Sequence, residues 1–204
     1  MKRGVLAETK QRRLDHHRLR RVNLLKLGTG GIDMAKNIII YYSRTGENYW
    51  SGGVKNISKG NTERVAEFIQ KAVGGDLFQV ETVKDYPADY YACIEEAKDE
   101  LRARSRPELK AYLGSIAEYD NVFVCGPCWW GTFPMAVFSQ LDRLDFAGKK
   151  VMAVMTHEGS GLGSCERDLK KTCTGASFGK GFAVAGHSAA GSEAQVAAWA
   201  KAQI

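Results

Sequence analysis

The stretch NIIIYYSRTG, residues 37–46, passes from an apolar run into hydroxyl side chains and a glycine. Three consecutive isoleucines predict a strand that is buried on both faces, as in a parallel sheet. After a polar loop that ends in GNT, residues 60–62, the segment ERVAEFIQKAV, residues 63–73, repeats its apolar residues at the helical period. This pattern predicts an amphipathic helix that ends at Gly74 and Gly75.

The same alternation of strand and helix continues along the chain. Further strands are predicted at 77–81, 121–126, 150–156 and 178–186, the last of them interrupted by glycine. Helices are predicted between them and after the last, starting near Tyr90, Pro134, Ser164 and Ser192. Strand–helix repeats with right-handed crossovers give an open parallel sheet with helices on both faces. The sequence therefore predicts an α/β fold.

The net charge of +6 comes from one end of the chain. Residues 1–33 hold nine of the 29 Lys and Arg residues and three of the 23 Asp and Glu residues, so the remainder is balanced at 20 of each. We expect a disordered basic leader over residues 1–33, with Met34 as the natural start, and one domain over residues 34–204. The alternative is a true basic tail that binds an anionic surface. The balanced charge of residues 34–204, which we call the body, gives no indication of a nucleic-acid or membrane partner.

The first polar loop is a candidate phosphate site. Ligands of open parallel sheets bind beyond the carboxyl ends of the strands. Without the 14 residues GENYWSGGVKNISK, 46–59, the segment SRT would run directly into GNTERVA. Hydroxyls, an amide and backbone N–H groups would then meet at a helix N-terminus, as phosphate binding requires. The candidate residues are Ser43, Arg44, Thr45, Gly60, Asn61 and Thr62. An ordinary turn and helix cap is the alternative.

The second loop, CGPCWWGTFP at residues 125–134, admits two interpretations. A CxxC pair at a helix N-terminus can exchange disulfides, but here Cys125 ends a predicted buried strand and the next helix starts only near Pro134. Ordinary reduced cysteines are the alternative. Trp129 and Trp130 can offer a flat face to a planar ring, and we expect one indole to do so and the other to pack into the core.

These motifs together resemble the flavodoxin family. YYSRTG followed by GNTERVAEFI is similar to the family's phosphate loop, a hydroxyl residue, any residue, Thr, Gly, Asn, Thr. The second loop resembles the family's aromatic flavin loop, and THEGSGLGS, residues 156–164, lies where the third loop should be. The resemblance covers nearly the whole body and implies a three-layer sandwich with a five-stranded parallel sheet of order 2-1-3-4-5. The chain departs from the pattern by the insertion 46–59.

The resemblance also implies a cofactor, FMN, and residues to hold it. By resemblance, the isoalloxazine ring is lined by Pro127, Trp129, Trp130 and Gly131. His157 and Gly159 complete the predicted cofactor set, His157 as a hydrogen-bond donor or as a cation facing reduced flavin, unless it simply faces solvent. The glycine pattern of the third loop is too far along the chain for dinucleotide binding. No histidines have metal-ligand spacing, and no metal site is predicted.

Two functions follow as expectations. An electron carrier would need a redox protein partner, whereas an NAD(P)H-dependent quinone or azo-type reductase would need a small quinone-like acceptor. A CxxC dithiol oxidoreductase is a third alternative. Tyr49 and Trp50 of the insertion would either cover the cofactor or pack the loop down. Five cysteines without framework spacing, and no secretion signal, favour reduced thiols in the cytoplasm.

Overall fold

The computed structural model describes residues 35–204, and the predicted leader, residues 1–33, lies outside the described residues together with Met34. The strands are β1 (Asn37–Tyr41), β2 (Gly46–Trp50), β3 (Gly53–Ile57), β4 (Asp76–Gln79), β5 (Asn121–Pro127), β6 (Lys150–His157), β7 (Ser177–Phe178) and β8 (Phe182–Ala185). The helices are α1 (Asn61–Val73), α2 (Tyr90–Ala103), α3 (Met135–Leu141), α4 (Cys165–Thr172), a 3-10 segment (Gly186–Gly191) and α5 (Glu193–Lys201).

The main sheet has the predicted order. Its strands run β4-β1-β5-β6, and both β7 and β8 pair with β6. Every pairing is parallel. The order 2-1-3-4-5 is therefore confirmed, with the fifth strand present as two segments. At the break between them, the Lys180 N–H donates to the Gln203 side chain and the Trp199 indole donates to the Lys180 carbonyl.

Helices cover both faces of this sheet, as predicted. Because successive side chains of a strand point to opposite faces, Ile39 packs on one side of the sheet and its neighbours Ile38 and Ile40 on the other. The Ile39 face is covered by α1 and α5, through side chains such as Val65 and Val196. The opposite face is covered by α3 and α4. The result is a three-layer sandwich with an apolar core on each side of the sheet.

The insertion forms a second, separate sheet. Strands β2 and β3 pair antiparallel, from Gly46 opposite Ile57 to Trp50 opposite Gly53. Ser51 and Gly52 connect them with positive φ angles of 43° and 103°. A two-residue connection with both φ angles positive suits the twist of a β-hairpin. We call β2, β3 and this turn the hairpin. The sequence analysis assigned no regular structure to it.

Some element ends differ from the expected ones. The second strand predicted from the sequence, which is β4, ends at Gln79 rather than at residue 81. Pro134 was expected in the first turn of α3, but it precedes the helix because its ψ of 143° is extended. Helix α2 ends at Ala103, where Arg104 turns the chain with a φ of 51°. Between residues 35 and 204, no helix has the length and apolar character to cross a bilayer.

The two glycines after α1 provide a test of the packing at the start of β1. A Cβ on Gly75, where φ is 107°, would lie 2.3 Å from the Asn37 carbonyl oxygen, whereas a Cβ on Gly74, where φ is 71°, meets nothing within 4 Å. We expect Gly74→Ala to lower the free energy of unfolding by about 1–3 kcal/mol through backbone strain alone, because its φ of 71° and ψ of −171° lie in a region that is almost exclusive to glycine. Gly75→Ala should cost about 1–3 kcal/mol more, because it adds a clash. Urea unfolding of both variants measures the difference, and equal losses would contradict the contact.

Candidate functional site

The three predicted loops meet at the carboxyl edge of the sheet around one cleft. Its volume is about 310 Å³, at the small end of the range of about 300–1,000 Å³ for ligand pockets. Most of the predicted site residues line it: Arg44, Asn61, Thr62, Pro127, Trp129, Trp130, Gly131 and His157. Ser43, Thr45, Gly60 and Gly159 do not. The predicted part of the cleft is therefore built from the carboxyl ends of β1, β5 and β6 and the loops that follow them.

The two halves of the first loop are in direct contact. The Ser43 Oγ accepts a hydrogen bond from the backbone N–H of Glu63 at 3.0 Å, so it caps helix α1 from the far side of the insertion. A Cβ on Gly60 would lie 2.0 Å from that Oγ, so only glycine permits this approach. The predicted junction of SRT with GNT therefore exists. The Ser43 hydroxyl is thus engaged with the helix. Ser43 and Thr45 both line a second cleft of about 580 Å³.

Asn61 and Thr62 occupy the start of helix α1. The Thr62 hydroxyl is buried and lies 2.8 Å from the hydroxyl of Thr156 on β6, which ties the first loop to the fourth predicted strand. Asn61 lines the cleft beside Gly186, where a Cβ would lie 2.6 Å from the Asn61 Nδ2. The first turn of a helix leaves N–H groups without intrahelical partners. This end of the cleft can therefore bind an anion.

The Arg44 side chain makes two hydrogen bonds to backbone carbonyls. Its Nε donates to the Glu47 carbonyl at 2.9 Å and its Nη2 to the Ala88 carbonyl at 2.7 Å. The guanidinium thus joins the base of the hairpin to the segment that precedes α2. Arg44 still lines the cleft, but these two bonds commit its charge to the protein's own backbone.

The two tryptophans of the second loop divide as expected. Trp129 packs edge-on against Tyr42 and Tyr86, with ring centroids 5.3 and 4.9 Å away. Trp130 is 47% exposed and has a φ of 53°, a costly conformation for a bulky residue. Its indole Nε1 donates to the Ile94 carbonyl on α2 at 2.7 Å. Trp130 is therefore held at the cleft by α2 instead of burying its ring.

The third loop touches the second through glycine. A Cβ on Gly163 would lie 2.2 Å from the Gly131 carbonyl oxygen, which also accepts the Ser164 N–H at 2.7 Å. Gly159, with φ of 115°, donates its N–H to the His157 Nδ1 at 2.9 Å. Burial lowers the pKa of His157, although the Glu158 charge opposes the shift. Because the Nδ1 atom accepts the Gly159 N–H, the neutral imidazole carries its proton on Nε2, as the hydrogen-bonding role requires.

The sequence analysis missed several residues of the cleft. Asn48, Tyr90, Ile94 and Glu158 line it, and Tyr49 was considered only as a cover. Glu158 accepts hydrogen bonds from the N–H groups of Ser51 and His187. Tyr90 and Ile94 lie at the start of the helix predicted from Tyr90, and their spacing carries no sign that this helix end reaches the site.

The cysteine arrangement contradicts the dithiol alternative. Cys125 is fully buried in the core beneath α1, whereas Cys128 packs against the core on the opposite face, near Cys165. All five cysteines are free, and burial raises the pKa of Cys125 above its usual range. The two thiols of the CxxC motif therefore pack on opposite faces of the sheet, which argues against their acting as one redox unit. Among residues 35–204 there is also no cluster of His, Cys, Asp and Glu side chains suited to a metal ion.

Comparison with known proteins agrees with this geometry. The family model described as Flavodoxin matches residues 54–203. A candidate flavoprotein from Bacteroides uniformis is 29% identical, with a TM-score of 0.65 over 82% of this chain and 98% of that one. A second, from Bacteroides eggerthii, is 25% identical, with a TM-score of 0.64 over 83% and 98%.

A flavoprotein from Lactobacillus acidophilus, solved in complex with FMN, is 19% identical and shares the fold, with a TM-score of 0.57 over 81% of this chain and 98% of that one. No curated protein matches the chain significantly. The family model alone covers well over half of the 204 residues. The chain therefore belongs to the flavodoxin family.

Proposed function

We propose that the protein binds FMN non-covalently and transfers electrons through it. The observation that carries this proposal is the convergence of three strand-end loops on one cleft, with a helix N-terminus at Asn61 and an exposed indole at Trp130. These two features match the two parts of FMN, a phosphate and a planar ring. Membership of the flavodoxin family and the FMN bound to the Lactobacillus acidophilus relative support it.

The phosphate end would rely on neutral donors. Arg44 is engaged with two carbonyls, so the groups for a dianion are the Asn61 side chain and the backbone N–H groups of Asn61 and Thr62, since that of Glu63 donates to Ser43. The helix dipole adds about 0.3–1 kcal/mol, whereas each hydrogen bond to a charged group adds about 1.5–3 kcal/mol. Hydrogen bonds would therefore supply most of the binding free energy.

The ring end would be formed by the second and third loops. Pro127, Trp130 and Gly131 line one part of the cleft, and the His157 Nε2–H is a donor for an acceptor atom of the ring. FMN supplies the redox chemistry when bound, while these residues hold and orient it. A neutral His157 adds no positive charge that would stabilise an anionic reduced ring.

A single titration tests the proposal. We expect the purified protein to quench the fluorescence of added FMN with a stoichiometry of one FMN per chain, and to show the visible absorption of a bound flavin that dithionite bleaches. A colourless protein that leaves FMN fluorescence unchanged would overturn the proposal.

Two roles are possible for the protein, and they differ in the molecule that accepts the electrons. We place both roles in the cytoplasm. As a carrier the protein would dock redox proteins, and the balanced charge of residues 34–204 argues against the strongly acidic docking face that this role favours. The hairpin, whose Asn48 and Tyr49 line the cleft, supports the second role, an FMN-dependent reductase of small acceptors. Its net reaction would oxidise one NAD(P)H, take one proton from solvent and reduce one quinone to a hydroquinone. NADPH oxidation with menadione would support this role, and reduction of cytochrome c alone would support the carrier.

Asn61 provides a test of the phosphate end. Riboflavin lacks the phosphate, so we expect Asn61→Ala to weaken FMN binding about tenfold or more and to leave riboflavin binding within twofold. Asn56→Ala, an exposed residue of β3, is the matched control and should change neither. Equal losses for FMN and riboflavin would place Asn61 at the ring instead.

The cysteines provide a test against dithiol chemistry. Cys128 is half-buried, whereas the other four are buried and their thiols have raised pKa values, that of Cys93 reaching about 11 through burial and nearby charges. A thiol reagent at pH 8 should therefore modify Cys128 alone in the folded protein, as peptide mass spectrometry would show, and Cys128→Ser should abolish the labelling. Rapid labelling of Cys125 would contradict its burial.

A further inference from the structure

The cleft has a part that the three flavin loops do not supply. Asn48 and Tyr49 come from the hairpin, and Tyr90 and Ile94 come from the first turns of α2. We call these four residues the annex. The rings of Tyr49 and Tyr90 stack on each other with centroids 6.0 Å apart and planes inclined by 29°. Two elements distant in sequence thus combine into one aromatic surface at the cleft.

The hairpin that carries Tyr49 is fastened at both ends. At its base, the Arg44 Nε donates to the Glu47 carbonyl, and the Tyr90 N–H donates to the Glu47 carboxylate at 2.8 Å. At its tip, the Ser51 N–H donates to the Glu158 carboxylate at 3.2 Å. Tyr49 lies between these points. Tyr49 is 40% exposed, yet the hairpin backbone is held on both sides of it, which reduces the entropy lost when a ligand packs on its ring.

The annex is continuous with the ring end of the proposed FMN site. The Trp130 indole donates to the carbonyl of Ile94, an annex residue, so the second loop and α2 share one wall of the cleft. The four annex side chains carry no charge at pH 7: an amide, an isoleucine and two phenols, one of which, Tyr90, has its pKa raised by burial. Such a surface favours planar, uncharged molecules over nucleotides, whose phosphates need donors or cations.

We propose that the annex binds a neutral planar electron acceptor of the quinone class beside the FMN ring. This inference rests on the proposed function, because it assigns a second molecule to the same cleft. Stacking on Tyr49 would supply the contact, while the Asn48 amide donates to the Arg44 and Gly46 carbonyls and so fixes the hairpin beside it. The hairpin is then a determinant of acceptor choice and is not needed to hold the cofactor.

Binding without turnover tests the annex. Oxidised, FMN-loaded protein is titrated with menadione by calorimetry in the absence of any electron donor, and FMN dissociation constants are measured separately by fluorescence. We expect Tyr49→Ala to raise the menadione dissociation constant about three- to tenfold, the loss expected for one aromatic pair, and to leave FMN binding within twofold. Tyr49→Phe keeps the ring and should retain menadione binding.

Val54→Ala is the matched control, because Val54 lies directly opposite Tyr49 in the hairpin and is exposed outside the cleft. Equal losses in Tyr49→Ala and Val54→Ala would mean that hairpin integrity alone matters, and would overturn the proposal. A comparable loss of FMN binding in Tyr49→Ala would also overturn it. So would wild-type protein that binds FMN and reduces cytochrome c but does not bind menadione. A wild-type protein without FMN binding would overturn the proposed function first, and this inference with it.

Discussion

The contact between Ser43 and Gly60 is the constraint on which the site depends. Strand β1 and helix α1 are separated by the whole insertion, yet the Ser43 hydroxyl caps the helix as though the two elements were adjacent in sequence. The absence of a Cβ at Gly60 allows the two chain segments to pass this closely. Since the hairpin leaves and returns at one point, it adds residues to the cleft and leaves the strand-to-helix geometry intact.

The rest of the cleft is joined by a small number of similar approaches. The Thr62 and Thr156 hydroxyls connect the start of α1 to β6, and Gly163 lies against the Gly131 carbonyl to connect the third loop to the second. None of these contacts needs a charge. Arg44, the positively charged member of the residues predicted to bind the phosphate, attaches the hairpin to the chain before α2. The architecture thus supports anion binding by hydrogen bonds rather than by the Arg44 guanidinium.

Local pattern was enough to predict the sheet and the places where its loops meet. The isoleucine run at 38–40, the glycines at 74–75 and the paired tryptophans each carry a signal that depends on neighbours in sequence. The roles of Arg44 and Tyr90 depend on carbonyls and rings that only the tertiary fold brings near, so no spacing rule could reveal them. The hairpin was only partly predictable from the sequence. Ser51-Gly52 is a recognisable turn signal, but the residues on either side of it lack a clear alternation of apolar and polar residues.

The interruption of the fifth strand has a consequence for how the protein meets other molecules. A continuous edge strand would present a row of unpaired amides and carbonyls, onto which a strand of another chain could add. Here the edge is broken at Lys180, and side chains from the C-terminal segment occupy both of that residue's backbone groups. Such an edge is a poor template for the addition of a strand from another chain. The C-terminal segment thus protects this edge of the sheet against aggregation.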